Sequence, residues 1–422
     1  MDNGIDTGIV WWQVYPLGFC GAPVRPTSEG ERALIPRLDR LGAWLDYAVD
    51  MGVGGLMLNP LFASETHGYD TTDYFRIDPR LGDDASFDRL ISGCHERGLR
   101  VMLDGVFNHV GRSHPLFQDA LAGRGNEDLF SITRRPDGSA DYATFEGFQE
   151  LPALNHDSGR VADLVRDVML HWMRRGVSAW RLDAAYAVPP AFWTCVLPEL
   201  RNTFPDAWFV GEVIHGDYAR IVRQSGMDAV TQYELWKAVW SSIESRNFYE
   251  LDWALRRHAE FLRSLVPWTF LGNHDTTRIA SQISEPAHLP HAVALLATLP
   301  GLPAIYYGDE QGYRGVKEDR LGGDDEIRPP FPATPADMSD LGAPTLRLYQ
   351  DLVGLRRRLP WLHDAEVEAL HLDNTVLSLR MRPRRPEGEG AESPEAVLVL
   401  SLEESEVWLP AAGRSHVLAS TH

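Results

Sequence analysis

The sequence predicts an α/β protein: a (β/α)8 barrel with a small domain inserted after its third strand and an antiparallel β domain following it. Three observations predict it. Eight short runs rich in β-branched and aromatic residues alternate with amphipathic stretches of helical period. Several of those runs end in a carboxylate, as happens when the carboxyl ends of parallel strands open on one functional face. The 422 residues exceed one average domain, yet they suit a barrel, which takes about 250 residues or more with insertions.

The strand-like runs are 9–15 (IVWWQVY), 54–58 (GGLML), 100–106 (RVMLDGV), 178–183 (SAWRLD), 208–212 (WFVGE), 227–231 (MDAVT), 268–272 (WTFLG) and 303–307 (PAIYY). Amphipathic stretches such as 34–51, 84–98, 160–175 and 287–299 lie between them and predict the helices. The barrel is expected over 1–109 and 158–362. Segment 110–157 is too long for an ordinary connection of about 2–6 residues, so it reads as an inserted domain. From 363 to 422 the pattern changes to period 2 (TVLSLRMR, AVLVLSL), which predicts a β-sandwich-like domain with a polar hairpin loop at 382–395.

A net charge of −20 argues against nucleic acid or an anionic membrane as partner. No run of about 18 apolar residues is present. The acidic start MDNGIDTG lacks the basic and apolar regions of a signal peptide. A cytoplasmic protein is expected, with Cys20, Cys94 and Cys195 as buried reduced thiols. Trp11, Trp12, Trp180 and Trp208 lie in strands and are expected in the core.

Four segments carry the chemistry: DGVFNH at 104–109, WRLDAA at 180–185, FVGEVI at 209–214 and FLGNHD at 270–275. On a barrel they bring Asp104, His109, Arg181, Asp183, Glu212, His274 and Asp275 to one face. Carboxylates, imidazoles and a guanidinium together suit acid-assisted cleavage of an acetal. Arg181 lies two residues before Asp183 on the same strand face, and is expected to keep it ionised. Glu212 is expected in surroundings that favour its protonated form.

In this order and with these neighbours, the segments resemble the α-amylase family of glycoside hydrolases over roughly the first 360 residues. The resemblance implies a TIM-type barrel, with Asp183 as nucleophile, Glu212 as general acid/base and Asp275 holding sugar hydroxyls. It implies sugar contacts from His109 and His274, and bracing by Asp104 and Asn108. It also implies stacking or hydrogen bonding from His67, Tyr69 and Asp70 of HGYD. Arg278 matches an arginine that, with Asp70, closes the non-reducing end of the cleft in exo-acting relatives.

Tyr186 and Ala187 stand where liquefying relatives place a Lys-His pair, so long-chain cleavage is disfavoured. No cofactor is expected. Calcium lacks support because Ala153 replaces an aspartate common near that ion, and hard cations need several oxygens. Tyr233 and Trp236 are candidate acceptor-side walls, and Phe130, Tyr142, Phe145 and Phe148 are candidates to face the cleft from the inserted segment.

The function expected is retaining, exo-acting hydrolysis of short α-glucosides by a monomer lacking the N-terminal β module of many cyclomaltodextrin-degrading relatives. Transfer to a sugar acceptor on the same site is the alternative. A non-catalytic carbohydrate-binding protein is a remote third.

Overall fold

The computed structural model describes residues 8–384, 394–411 and 414–419. Eight parallel strands form the central sheet, each falling on one of the eight expected runs: β1 Trp11–Val14, β2 Gly55–Leu58, β3 Arg100–Gly105, β4 Ala179–Leu182, β5 Trp208–Gly211, β6 Ala229–Val230, β7 Trp268–Phe270 and β8 Leu302–Tyr306. They pair in the order β6-β5-β4-β3-β2-β1-β8-β7. The ring closes where Thr231 bridges Trp268 and the Gln232 N–H donates to the Trp268 carbonyl at 2.8 Å.

Strand side chains alternate between two environments, and that alternation builds the site. Trp11, Met57, Met102, Ala179, Trp208 and Trp268 belong to the cluster inside the barrel. Their neighbours Trp12, Leu58, Leu103, Trp180 and Phe209 face the surrounding helices and join the larger core. Two residues beyond an inward position the chain points inward again, so the inward row continues upward to Gln13, Asn59, Asp104, Arg181 and Glu212. At the amino end the rings of Trp11, Trp208 and Trp268 lie with centroids 5.8–6.4 Å apart. Gly55 makes room for them: a Cβ there would stand 2.5 Å from the Trp11 ring.

Helices α1 Leu45–Met51, α2 Asp84–Glu96, α3 Gly159–Met173, α4 Pro190–Thr203, α5 Tyr218–Ser225, α6 Tyr233–Glu244, α7 Phe248–Phe261, α8 Leu289–Thr298 and α9 Ala343–Arg358 surround the ring. Helix α2 starts where Asp83 accepts the Ser86 N–H at 2.9 Å, satisfying a free donor of its first turn. On α3 the residues Val161, Val165, Val168, Met169 and Trp172 bury one stripe, the 3.6-residue period visible in the sequence.

Between β3 and β4 the chain makes helix Pro115–Leu121 and a hairpin of Ile132–Arg134 with Ala140–Tyr142. Phe117 packs edge-on against Phe130 and Tyr142 as a small core of this segment. It is tied to the barrel where the Leu154 N–H donates to the Asn108 carbonyl and the Val110 N–H to that of Pro152, each at 3.0 Å.

The C-terminal strands, β9 Glu366–Leu372, β10 Val376–Arg382, β11 Ala396–Ser401, β12 Glu406–Ala411 and β13 Arg414–Ala419, form one antiparallel sheet in sequential order. The layer packed against it comes from barrel helices α7 and α8 rather than from a second sheet. The sandwich-like pattern therefore reads as one sheet on helices. Most of the polar 382–395 loop, and the chain start, lie outside the described residues.

Cys20 and Cys94 are buried as expected, but Cys195 is exposed on α4. Among the described residues no helix is long and apolar enough to cross a membrane.

Candidate active site

At the carboxyl ends of the strands lies a cleft of about 390 Å³, lined among others by His67, Tyr69, His109, Asp183, Glu212, Asp275 and Arg328. Its organising group is Arg181, buried on β4. One terminal nitrogen donates to Asp104 Oδ1 at 2.7 Å and to Asp183 Oδ1 at 3.1 Å, and the other meets Glu212 Oε1 at 2.6 Å. One cation thus holds three carboxyl groups from three neighbouring strands. Asp104 is locked further, since Oδ2 accepts from Asn59 Nδ2 at 2.9 Å and from the Tyr69 hydroxyl at 2.8 Å.

Three acids around one guanidinium leave excess negative charge. Burial, and then the charge of Glu212, raise the Asp183 carboxyl well above the ordinary range despite Arg181. The expectation that Arg181 keeps Asp183 ionised is therefore corrected: burial and Glu212 outweigh it. Asp183 and Glu212 thus lie on the same guanidinium, 3.1 and 2.6 Å from its two terminal nitrogens. Glu212 is fixed by the Ala184 N–H, which donates to Oε2 at 3.0 Å, and by the Tyr233 hydroxyl, 3.3 Å from Oε1. Ala184 takes the left-handed backbone, φ +46°, to aim that N–H.

Across the cleft stands Asp275. Burial works to raise its pKa, but the His274 ring and the Arg328 guanidinium outweigh it and hold Asp275 well below the usual carboxylate range. His274 Nε2 lies 2.8 Å from Asp275 Oδ2, and Arg328 Nη2 is 2.8 Å from Oδ1. The His274 ring is sandwiched between Tyr15 and Tyr69, with interplanar angles of 6° and 5°. Its Nδ1 faces the amide nitrogens of Gln13 and Asn59 at 3.1 and 3.2 Å, which turns Nε2 toward Asp275 and the Tyr69 hydroxyl.

Burial lowers His109 to about 4, so this ring is neutral. Its Nε2 is 2.9 Å from the Tyr69 carbonyl and its Nδ1 3.1 Å from Asn108 Nδ2. His67 lines the cleft. Asp70 is buried behind it, with Oδ2 accepting from the Thr66 hydroxyl at 2.5 Å.

Arg278 is not in the cleft. It is fully buried, pairs with Asp309 at 2.8 Å and donates to the carbonyls of Tyr307 and Ile327 at 2.9 and 2.8 Å. The Asp70–Arg278 barrier expected from the sequence is not formed. Arg328 and Lys317 line the cleft instead; Arg328 also meets Asp324 at 3.0 Å, donates to the His274 carbonyl at 2.8 Å and lies 4.7 Å over the Tyr15 ring.

Of the aromatic candidates, Tyr233 and Phe145 line the cleft. Trp236 does not: its indole N–H donates to the Leu271 carbonyl at 3.0 Å. Phe130 and Tyr142 pack inside the inserted segment, and Phe148 is exposed to solvent.

This geometry can present a proton and an attacking oxygen to one acetal, with a charged carboxylate opposite. Comparison with known proteins agrees with it. A family model described as "Alpha amylase, catalytic domain" matches residues 37–345. The chain belongs to the α-amylase family of glycoside hydrolases.

Within the α-amylase family the chain is 30% identical to a cyclomaltodextrinase of Geobacillus thermopakistaniensis, over 97% of this chain and 72% of that one. It is 32% identical to a maltogenic alpha-amylase of Bacillus acidopullulyticus, over 73% of this chain and 57% of that one. The chain thus spans little more than half the length of several such relatives. The solved structure of a cyclic alpha-maltosyl-(1→6)-maltose hydrolase from Arthrobacter globiformis superposes with a TM-score of 0.79, each chain covered to 99%, at 24% identity. That last likeness concerns the fold.

Sequence reasoning missed Gln13, Asn59 and Arg328. The first two carried a usable signal, a polar residue at the top of an apolar strand run (WWQV, LMLN). Arg328 carried none, since it comes from the long connection after β8.

Proposed function

We propose that this enzyme hydrolyses short α-glucosides, linear maltooligosaccharides and cyclic α-glucans, with retention of anomeric configuration. The observation that carries the reading is the sharing of Arg181 by Asp183 and Glu212. Glu212 acts as the general acid and gives its proton to the departing glycosidic oxygen. Asp183 attacks the anomeric carbon as the carbon–oxygen bond breaks, giving a glycosyl ester. Water then adds at that carbon, returns a proton to Glu212 and releases Asp183. Asp275, held ionised by Arg328 and His274, binds hydroxyls of the same sugar, and Tyr69 offers its ring face.

With Arg278 turned away, strictly exo action loses its sequence argument, and the names of the relatives favour maltooligosaccharides and cyclic substrates. We propose further that turnover needs no metal. Among the described residues, no group of three or more His, Cys, Asp or Glu is placed to hold one.

The test is product analysis on maltotriose, maltoheptaose and a cyclomaltodextrin, with the first product's anomer followed by proton NMR. An α-anomeric first product supports the reading. A β-anomeric one overturns retention, and inertness on all three overturns the substrate class.

A further inference from the structure

Glu212 must lie against the departing oxygen, so the wall continuous with it is the leaving-group side. That wall contains Ala184, Tyr186 and Ile214. Tyr186 lies in the short turn Ala185–Ala187, and its N–H donates to the Glu212 carbonyl at 3.2 Å. Its hydroxyl reaches across to the inserted segment and donates to Glu146 Oε1 at 2.9 Å. Glu146 holds that position with φ +49°, a backbone region costly for any residue with a Cβ. The preceding Phe145 is pinned by stacking on His109, centroids 4.6 Å apart.

Behind this contact lies a second cavity of about 390 Å³, lined by Asn108, Ser131, Thr144, Asn155 and Asp157. Tyr186, Glu146 and Phe145 line both cavities, so they form the partition between them. Each cavity is of the size that takes a small ligand, roughly 300–1,000 Å³. Ser131 and Thr144 bring hydroxyls and Asp157 a carboxylate to its lining. Phe145 and Pro189 add the apolar surface a sugar ring covers.

We propose that the Tyr186–Glu146 hydrogen bond sets the length of the leaving group. Closed, it confines the leaving-group side of the cleft to short substrates; open, it joins the second cavity as a further glucosyl-binding site. The proposal rests on the α-glucoside reading above. Burial and the neighbouring Glu146 push the Tyr186 phenol up, so the hydroxyl stays a donor across the working range. The contact joins the turn after the nucleophile to the inserted segment.

The experiment measures kcat/KM on maltotriose and maltoheptaose for the wild type, Tyr186→Phe, Glu146→Ala, the double variant and Glu146→Gln. Each single variant that breaks the bond is expected to raise the maltoheptaose-to-maltotriose ratio about threefold or more. The double variant is expected to match the singles, as one shared contact demands. Glu146→Gln, which keeps an acceptor oxygen, should restore the wild-type ratio. An unchanged ratio in both bond-breaking singles, or fully additive effects, overturns the partition while leaving the function intact. A wild type inert on both sugars overturns the reading of linear maltooligosaccharides as substrates, and the partition with it.

Discussion

Replacing Arg328 with alanine separates what holds Asp275 from what reacts. Arg328 makes two contacts that matter here, Nη2 to Asp275 Oδ1 at 2.8 Å and Nε to the His274 carbonyl at 2.8 Å. A hydrogen bond to a charged group contributes about 1.5–3 kcal/mol net, and losing one partner of a fully buried pair costs about 3–5 kcal/mol. A third of the Asp275 side chain faces the open cleft, so solvent screens the loss and about 1.5–3 kcal/mol is the appropriate range. If Asp275 acts mainly on the transition state, that is roughly a 10- to 150-fold fall in kcat/KM.

The pH profile supplies a second, independent readout. Asp275 is depressed in the folded enzyme, so it stays ionised until the pH falls well below the usual carboxylate range. Without Arg328 its pKa moves back up, and the acid limb of kcat/KM on maltotriose shifts to higher pH. Arg328→Lys keeps the charge but not the fork, and should fall between the two. Circular dichroism and a thermal melt would establish that the variants are folded. A folded Arg328→Ala enzyme within twofold of wild type, with an unmoved acid limb, would refute the reasoning.

Asp183→Asn and Glu212→Gln should each lower kcat by about 10³-fold or more while sugar binding persists in calorimetry; near-normal turnover by either removes its assigned role. Dialysis against EDTA should leave the rate unchanged, and a loss restored by calcium would show that a metal is needed. Burial raises Glu310 to about 7, so its contribution to stability is present at low pH and lost as the pH rises through about 7. Glu310→Gln should therefore flatten the decline of the unfolding free energy between pH 5 and 8, by an amount on the order of 3 kcal/mol at the upper end; parallel curves would contradict this. His258 and His291 are lowered to about 4 by burial. They act in the opposite sense, with stability present above about pH 6.5 and lost toward pH 4, and His291→Asn should weaken that acid loss.

The barrel was legible because its signal is local and repeated. The strand runs are largely apolar and several carry a polar residue at the top, a pattern each shows whatever its partners. Asp183 and Glu212 were legible for the same reason, as each directly follows the last residue of its strand. Arg278 shows where this stops. Its spacing from Asp275 placed it near the cleft, but Asp309 and two carbonyls on the far side of its loop claim the guanidinium. Which of two arginines faces the cavity is decided by long-range partners, and residue 328 is 53 positions from the Asp275 it grips. The electrostatics of Asp183 were misread likewise, because Arg181 serves three carboxylates rather than one.

The three indoles at the amino end of the barrel have a bearing on how the ring holds shut. Trp268 is at once the residue that meets Thr231 across the closing joint and one of the three rings that fill the floor. Sealing and plugging are therefore one event, joining position 11 to position 268. Strand β6 contributes only two residues, so the narrowest joint is backed by the heaviest side chains. The reacting groups occupy the opposite mouth. Natural variation at that mouth can reshape specificity while the floor keeps the ring closed, and intrinsic tryptophan fluorescence reports the state of the floor alongside that of the chain's other indoles.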